Sequence, residues 1–510
     1  MNRLKNPFGE VSCEQEKEQL QGDYERFYFE HTPFNAACLD PECYLVVGRR
    51  GCGKTSLSRY FSFQGRLRSS RCIDVDEPTI YEDVFARLVA NRGIGNEHAL
   101  AFFERAWELV IWTLIFQELR DESDAIARAC PFPDWRPPSE LIVDTLGALV
   151  TELAEVEDLR LLETIRLRLR DHTHLEARHA VVTITRRRPV IVAIDSLEHY
   201  DVYDESIMFM IAGLIQCAAG FQSHHVRDGI HVKAFVTAEV FPHLQEKVLA
   251  NPLKFAHDPV YLSWRPKDLL RLVSWRFHQF LLATAPDEVS TRPIDWDRFQ
   301  SVYENVWAPF FGTNLPNSIG LEEDTFAYIL RHTQMRPRQL VVICNAIARR
   351  ARDERTFPRF HALQIVEAVH QAELELATEV LNSYSRIHKS ASEIVGALVR
   401  APVRFPGRFL DKVAKRTAGA WPSGTYRIDA FRRLVAELGI VGRVRSENAD
   451  RRVVSADFEY AGRARLELSA DDECVIHPMF FNRLHVRHDE PWTVYPFPNH
   501  VSLAELEHGG

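Results

Sequence analysis

The stretch VVGRRGCGKTSL, residues 46–57, constrains this chain more than any other. Gly48 followed by Gly53-Lys54-Thr55 satisfies G-x-x-x-x-G-K-[ST], a spacing in which consecutive backbone N–H groups wrap an anionic phosphate chain. Glycines at 48, 51 and 53 give the backbone conformations closed to residues with a Cβ, so those N–H groups can converge. In such a loop Lys54 neutralises the β/γ charge and Thr55 places its hydroxyl on Mg²⁺, with Ser56 among the nucleotide-binding candidates. The loop needs a strand before it and a helix after it. CYLVVG (43–48) is a short valine-rich run that suits a buried parallel strand, and the serines and leucines after Thr55 permit a helix through about Phe61.

Four further runs have strand character: RCIDVDEP (71–78), VIVAID (190–195), GIHVKAFVTAEVF (229–241) and DPVYLSW (258–264). Between the first two, residues 80–185 are mainly helical. Thr79 and Glu82 resemble a capping box for a helix carrying Val84, Phe85, Leu88 and Val89. Phe103, Ala106, Val110 and Leu114 then follow helical spacing, and the proline-rich PFPDWRPP (131–138) interrupts the series. Strands alternating with helices predict an α/β domain with a mostly parallel sheet over residues 41–265, with 80–185 as a helical insertion and 1–40 as a helical lead-in. From 266 to 385 the pattern is all-helical: Leu269, Leu270, Val273, Phe277, Phe280 and Leu281 share one face, and Leu340, Ile343, Cys344 and Ile347 another. Over 386–510, helical patterns near 391–400, 408–417 and 428–438 precede GIVGRV, an Asn-Ala-Asp turn, VVSADFEY and ARLELS. That is the order of a winged helix-turn-helix.

The 510 residues exceed what one core supports, so two to four domains are expected. A net charge of −9 excludes a chain that binds nucleic acid or anionic membrane through its overall charge. The nine cysteines contain no C-x-x-C pair, and Cys38 with Cys43 finds no second pair to complete a metal site. Reduced thiols in a cytoplasmic protein follow as the simplest reading. The N-terminal twenty residues lack an apolar core, and no uninterrupted apolar run approaches the roughly 18 residues that span a bilayer. His224, His225, His172, His174 and His179 have no carboxylate or cysteine framework, and are read as polar loop and helix residues.

Asp195, ending a buried strand, is placed to hold the Mg²⁺ shell through water. Hydrolysis also needs a group to orient the attacking water. Ser196 occupies the position directly after Asp195, so Glu198 is the candidate base, with Glu239 beyond Thr237 a second one; Glu198 also reads as a solvent-facing loop residue. Arg336 and Arg338, in MRPRQL at a helix start, can reach a γ-phosphate if the helical domain folds over the nucleotide, or are plain surface cations. Arg49 and Arg50 are expected to point outward or contact a neighbour.

GRRGCGKTSL, VIVAIDSLEHYD, VKAFVTAEVF and RPRQL, in this order and spacing, resemble the bacterial P-loop ATPases of the AAA/STAND group over roughly residues 40–480. The resemblance implies an α/β P-loop NTPase domain followed by an all-helical lid and a winged helix-turn-helix domain. It implies ATP and Mg²⁺ held by Lys54, Thr55 and Asp195, a polar sensor at Thr237, and a lid arginine at Arg336 or Arg338. Family members commonly act as nucleotide-driven switches, some in bacterial defence. The glutamate next to Asp195 is missing, and no arginine finger can be placed.

Arg408, Lys412, Lys415 and Arg416 recur at helical spacing, and Arg432 and Arg433 add to a zone with only Asp411, Asp429 and Glu437 between 400 and 445. This zone suits DNA phosphates or an acidic partner protein. The expected activity is an ATP-hydrolysing switch that couples nucleotide state to DNA or partner binding, in defence or regulation; the alternative is a nucleotide-binding switch or transcription regulator with little hydrolysis. A separate effector protein and a homo-oligomer are compatible with it, and a membrane is not expected.

Overall fold

In a computed structural model of the chain, the five apolar runs become one all-parallel sheet: β1 (Leu45–Gly48), β2 (Arg71–Val75), β3 (Val190–Asp195), β4 (Ile230–Thr237) and β5 (Val260–Tyr261), ordered β2-β3-β4-β1-β5. The structure describes residues 5–63, 70–75, 96–153, 158–195, 205–248, 258–385, 387–422, 424–461 and 465–497. Every residue of β1 and β3 is buried, which is why both read as unbroken apolar runs in the sequence. The expected capping box at Thr79 and the helix through Val89 lie outside the described residues.

The sheet belongs to a compact unit of residues Thr32–Leu262; residues Met1–His31 and Ser263–Gly510 form a second. In the first unit the chain leaves β1 for the far edge at β2, returns through β3 and β4, and then passes to β5 on the other side of β1. Connections from β1 and β4 thus run in opposite directions, so the switch point of the sheet lies between them, the position where open parallel sheets generally take ligands. Helices Asn96–Leu119, Asp124–Ala129, Pro138–Leu153, Asp158–Leu169 and His172–Thr185 fill the interval between β2 and β3. Helix Glu205–His225 packs on β4 and along Asn96–Leu119. Gly213 makes that approach possible, since a Cβ there would stand 2.7 Å from the Cβ of Phe103. The span Ile207–Asp228 is, among the described residues, the one helix long and apolar enough to cross a membrane, a segment the sequence reading passed over; 67% of its apolar window is buried inside the protein.

In the second unit Phe8 stacks on Phe277 of helix Pro266–Thr284, 4.9 Å between ring centroids, tying the N-terminal segment to the helical layer. Helices Thr325–Arg331, Pro337–Asp353 and Ala362–Ser385 follow, with a hairpin of β6 (Asn314–Pro316) and β7 (Glu322–Asp324). The C-terminal part runs helix Ala391–Gly396, β8 (Arg404–Pro406), helices Arg408–Lys415 and Ile428–Glu437, then β9 (Val441–Asn448), β10 (Val453–Asp457), β11 (Glu473–Ile476) and β12 (Thr493–Tyr495). These strands form a sheet ordered β12-β10-β9-β11-β8. The ARLELS segment is not one of them: Leu466 and Leu468 are buried, but residues 465–469 join no ladder, and β11 takes the place beside β9.

A buried polar network holds this unit together. Arg331 Nε donates to Glu323 Oε2 at 3.0 Å, Tyr495 Oη donates to the same oxygen at 2.6 Å, and Asn317 Nδ2 donates to Glu323 Oε1 at 2.6 Å and Thr493 Oγ1 at 3.1 Å. Hairpin, helix and terminal strand are thereby locked to one carboxylate.

Candidate functional site

The loop leaving β1 is shaped by its glycines. Gly51 and Gly53 sit at φ 75° and 98°, in the left-handed region, and a Cβ on Gly48 would lie 2.5 Å from Cys52 Sγ. Cys52 N–H donates to the Arg49 carbonyl at 3.2 Å, and helix Lys54–Tyr60 begins immediately beyond Gly53. Lys54 is 4% exposed, and its ammonium donates to the carbonyls of Gly48 at 3.3 Å and Arg49 at 3.5 Å. Its charge is therefore held against the backbone at the start of the loop. Ser56 is half-buried in the first turn of the helix.

Strand register assembles the rest. Asp195 ends β3 opposite Phe235, and Gly48 ends β1 opposite Thr237, so three strand ends carry Gly48, Asp195 and Thr237 at one edge of the sheet. Thr55 Oγ1 donates to Asp195 Oδ2 at 2.9 Å, joining residues 140 positions apart. Thr237 is fully buried, and its hydroxyl has no hydrogen-bond partner among the described residues. Glu239, 4% exposed, accepts the Arg50 backbone N–H at 3.3 Å and lies 3.9 Å from Arg49 Nε. The two loop arginines thus meet a neighbour, and Glu239 acts as a brace of the loop. A second brace was not foreseen: Ser58 Oγ, on the helix, bonds Asp74 of β2. Asp74, one of three acidic residues in RCIDVDEP, was its only sequence signal.

Hydroxyl and carboxylate oxygens at one place are the donor set a hard cation such as Mg²⁺ takes, and the glycine cradle with a lysine against its backbone suits a phosphate chain. The residues present fit that pair of groups. Comparison with family models, curated proteins and solved structures returns no match to this chain.

Glu198 lies outside the described residues. Arg336 and Arg338 belong to the second unit. Arg336 is 5% exposed and donates to Gln334 Oε1 at 2.8 Å, whereas Arg338 donates to the Val11 carbonyl at 3.2 Å and to Glu379 Oε1 at 3.4 Å.

The basic zone divides in two. Arg408, Lys412 and Lys415 are exposed on helix Arg408–Lys415 and make no ion pair among the described residues; Arg416, also exposed, donates to the Ala397 carbonyl at 2.7 Å. Arg432 and Arg433 are turned inward instead. Arg432 pairs with Asp411 at 2.5 Å, while Arg433 bonds Glu459 with both terminal nitrogens and stands 3.5 Å from Glu437. Asp411 and Glu437 lie within the 400–445 zone, but a charge count does not show which cation each one holds, and Glu459, 26 residues from Arg433, lies outside that zone. His174 is a core residue, edge-on to Phe116 at 5.0 Å, with its pKa pushed down to about 4 by burial and by Arg178.

Proposed function

We propose that residues 46–57, Asp195 and Thr237 form the binding site for ATP and Mg²⁺ of a nucleotide-driven switch. The observation that carries this reading is the 2.9 Å hydrogen bond from Thr55 to Asp195. A phosphate-loop hydroxyl and an acidic strand end, each picked out separately in sequence, meet at the carboxyl edge of a parallel sheet, where open sheets of this kind generally take ligands. Mg²⁺, when bound, supplies charge neutralisation on the β- and γ-phosphate oxygens. The chain's own residues do the rest. Loop N–H groups orient the phosphates, Lys54 exchanges two carbonyl partners for them, and Asp195 orients the Thr55 hydroxyl. Thr237 offers a buried hydroxyl for reporting what occupies the γ position.

The ATPase reading places Glu198 as the base that orients water. Ser196 directly after Asp195 favours the alternative, a switch that binds ATP and hydrolyses it slowly. For the C-terminal part, the order helix, strand, two helices, two antiparallel strands supports a winged-helix reading. With Arg432 and Arg433 engaged internally, its proposed contact with DNA or an acidic partner falls to Arg408, Lys412, Lys415 and Arg416. Turnover by the wild-type protein and by Lys54→Ala, each with and without double-stranded DNA, tests the whole proposal. Turnover stimulated by DNA and lost in Lys54→Ala supports it. ATP binding that survives Lys54→Ala unchanged removes the loop from the site.

A further inference from the structure

Cys38 and Cys43 flank the turn that carries the chain from helix Pro33–Leu39 into β1. Four residues separate them, and their thiols are hydrogen-bonded to one another. Cys38 is fully buried; Cys43 is half-buried. Behind them lies Lys233 of β4, 1% exposed, whose ammonium donates to the carbonyls of Asp40 at 2.9 Å and Cys43 at 2.8 Å. The ammonium is thereby fixed beside the turn that carries both sulfurs. The Leu45 backbone N–H donates to Cys43 as well.

The two thiols differ first in access and neighbours: Cys38 is fully buried, whereas Cys43 is half-buried and has the Lys233 ammonium on its own carbonyl at 2.8 Å. Cys43 is held below the ordinary thiol range by the Cys38 S–H bond, which together with Lys233 and the Leu45 N–H outweighs its burial. Cys38 is held far above that range, first by donating its proton to Cys43 and then by burial. One sulfur is a reachable nucleophile and the other a protected thiol poised against it, the pairing that a two-step thiol oxidation requires.

We propose that Cys43 is a peroxide-reactive thiolate with Cys38 as its resolving partner, so that this turn is a reversible oxidation site. The Cys43 thiolate attacks one oxygen of a hydroperoxide and the O–O bond breaks. Cys43 becomes a sulfenic acid, and the second oxygen leaves as water or an alcohol after taking up a proton. Cys38 then gives up its proton and attacks the sulfenic sulfur; the S–O bond breaks, an S–S bond forms and a second water departs. The two thiols lose the two electrons that the peroxide gains. A dithiol reductant reverses the step by exchange. The product ties the helix before β1 to the start of that strand. None of this depends on what the phosphate loop binds.

Both cysteines fall in one tryptic peptide, residues 27–49, with no other cysteine and no internal lysine or arginine. The test treats the full-length folded protein with hydrogen peroxide, alkylates it and follows this peptide by mass spectrometry. The expected result is loss of both alkylation sites with a mass lower by about 2 Da, restored by dithiothreitol, at a rate about tenfold above that of Cys13, Cys72 or Cys130. Cys38→Ser should leave a sulfenic acid on Cys43 that a cyclic 1,3-dione traps, and Cys43→Ser should leave Cys38 unoxidised. Lys233→Met should slow the reaction; if that variant does not fold, the two serine variants still decide. Oxidation of the 27–49 peptide no faster than the other half-buried thiols, or dione labelling absent from Cys43 in Cys38→Ser, overturns the proposal.

Discussion

At the scale of single residues, the candidate site contains groups whose arrangement serves the apo protein poorly. Thr237 keeps a hydroxyl buried without a partner among the described residues, a situation that costs about 1–3 kcal/mol. Thr237→Val should therefore leave the ligand-free protein as stable or more stable by about 1 kcal/mol. The same change should shrink the rise in melting temperature that ATP and Mg²⁺ produce in the wild type, measured by differential scanning fluorimetry. A wild-type-sized rise would remove Thr237 from the site. Gly53, at φ 98°, carries a different requirement. Gly53→Ala should cost about 1–2 kcal/mol of folding stability from backbone strain alone, read from denaturant unfolding. The strand, the glycine-rich turn, the helix beginning at Lys54 and the strand end at Asp195 were all legible in the sequence, because apolar runs and glycine spacing are local signals. Glu239 as a brace was not, since its partners are Arg50 N–H and the Arg49 side chain, 189 and 190 positions back.

At the scale of elements, strands were easier to read than their neighbours. β1, β3 and β4 are buried on both faces and announce themselves as apolar runs. β8 and β11 are three and four residues long and leave no comparable trace, whereas Leu466 and Leu468 alternate as a strand would while packing without a ladder. Packing between helices also sets a pH dependence. Glu373 of helix Ala362–Ser385 is held up at about 8 by burial, against the pull of Arg331, and stands 2.6 Å from His332 Nδ1. Burial, Arg331, His477 and His370 keep His332 neutral. The folded state thus keeps a proton that the unfolded chain releases near pH 4.5, so this contribution is full below that pH and is lost as pH rises towards 8. Buried His332 and His477, lowered in the fold, act with the opposite sign below pH 6.5. Between pH 6.5 and 8 unfolding free energy should fall by up to about 1.4 kcal/mol per pH unit through Glu373. Glu373→Gln should flatten that slope in urea titrations; an unchanged slope would place the proton elsewhere.

At the scale of the whole molecule, net charge −9 and an exposed basic helix coexist, so any contact with DNA is local and sensitive to salt. Replacing Lys412 and Lys415 with alanine should weaken DNA binding at every sequence tested and reduce the slope of log K against log salt by about 2. Arg432→Ala should instead act through stability, since it leaves Asp411 without its cation. An acidic protein partner would show the reverse outcome, with no DNA binding to lose. The proposed switch depends on the loop after β1 holding ATP. Isothermal titration of ATP with Mg²⁺ into the wild-type protein and into Lys54→Ala tests it most directly. The expected result is saturable one-site binding by the wild type, weakened at least about tenfold by the substitution, a loss of about 1.4 kcal/mol or more. Equal affinity in the two proteins, or no binding by the folded wild type, would contradict it.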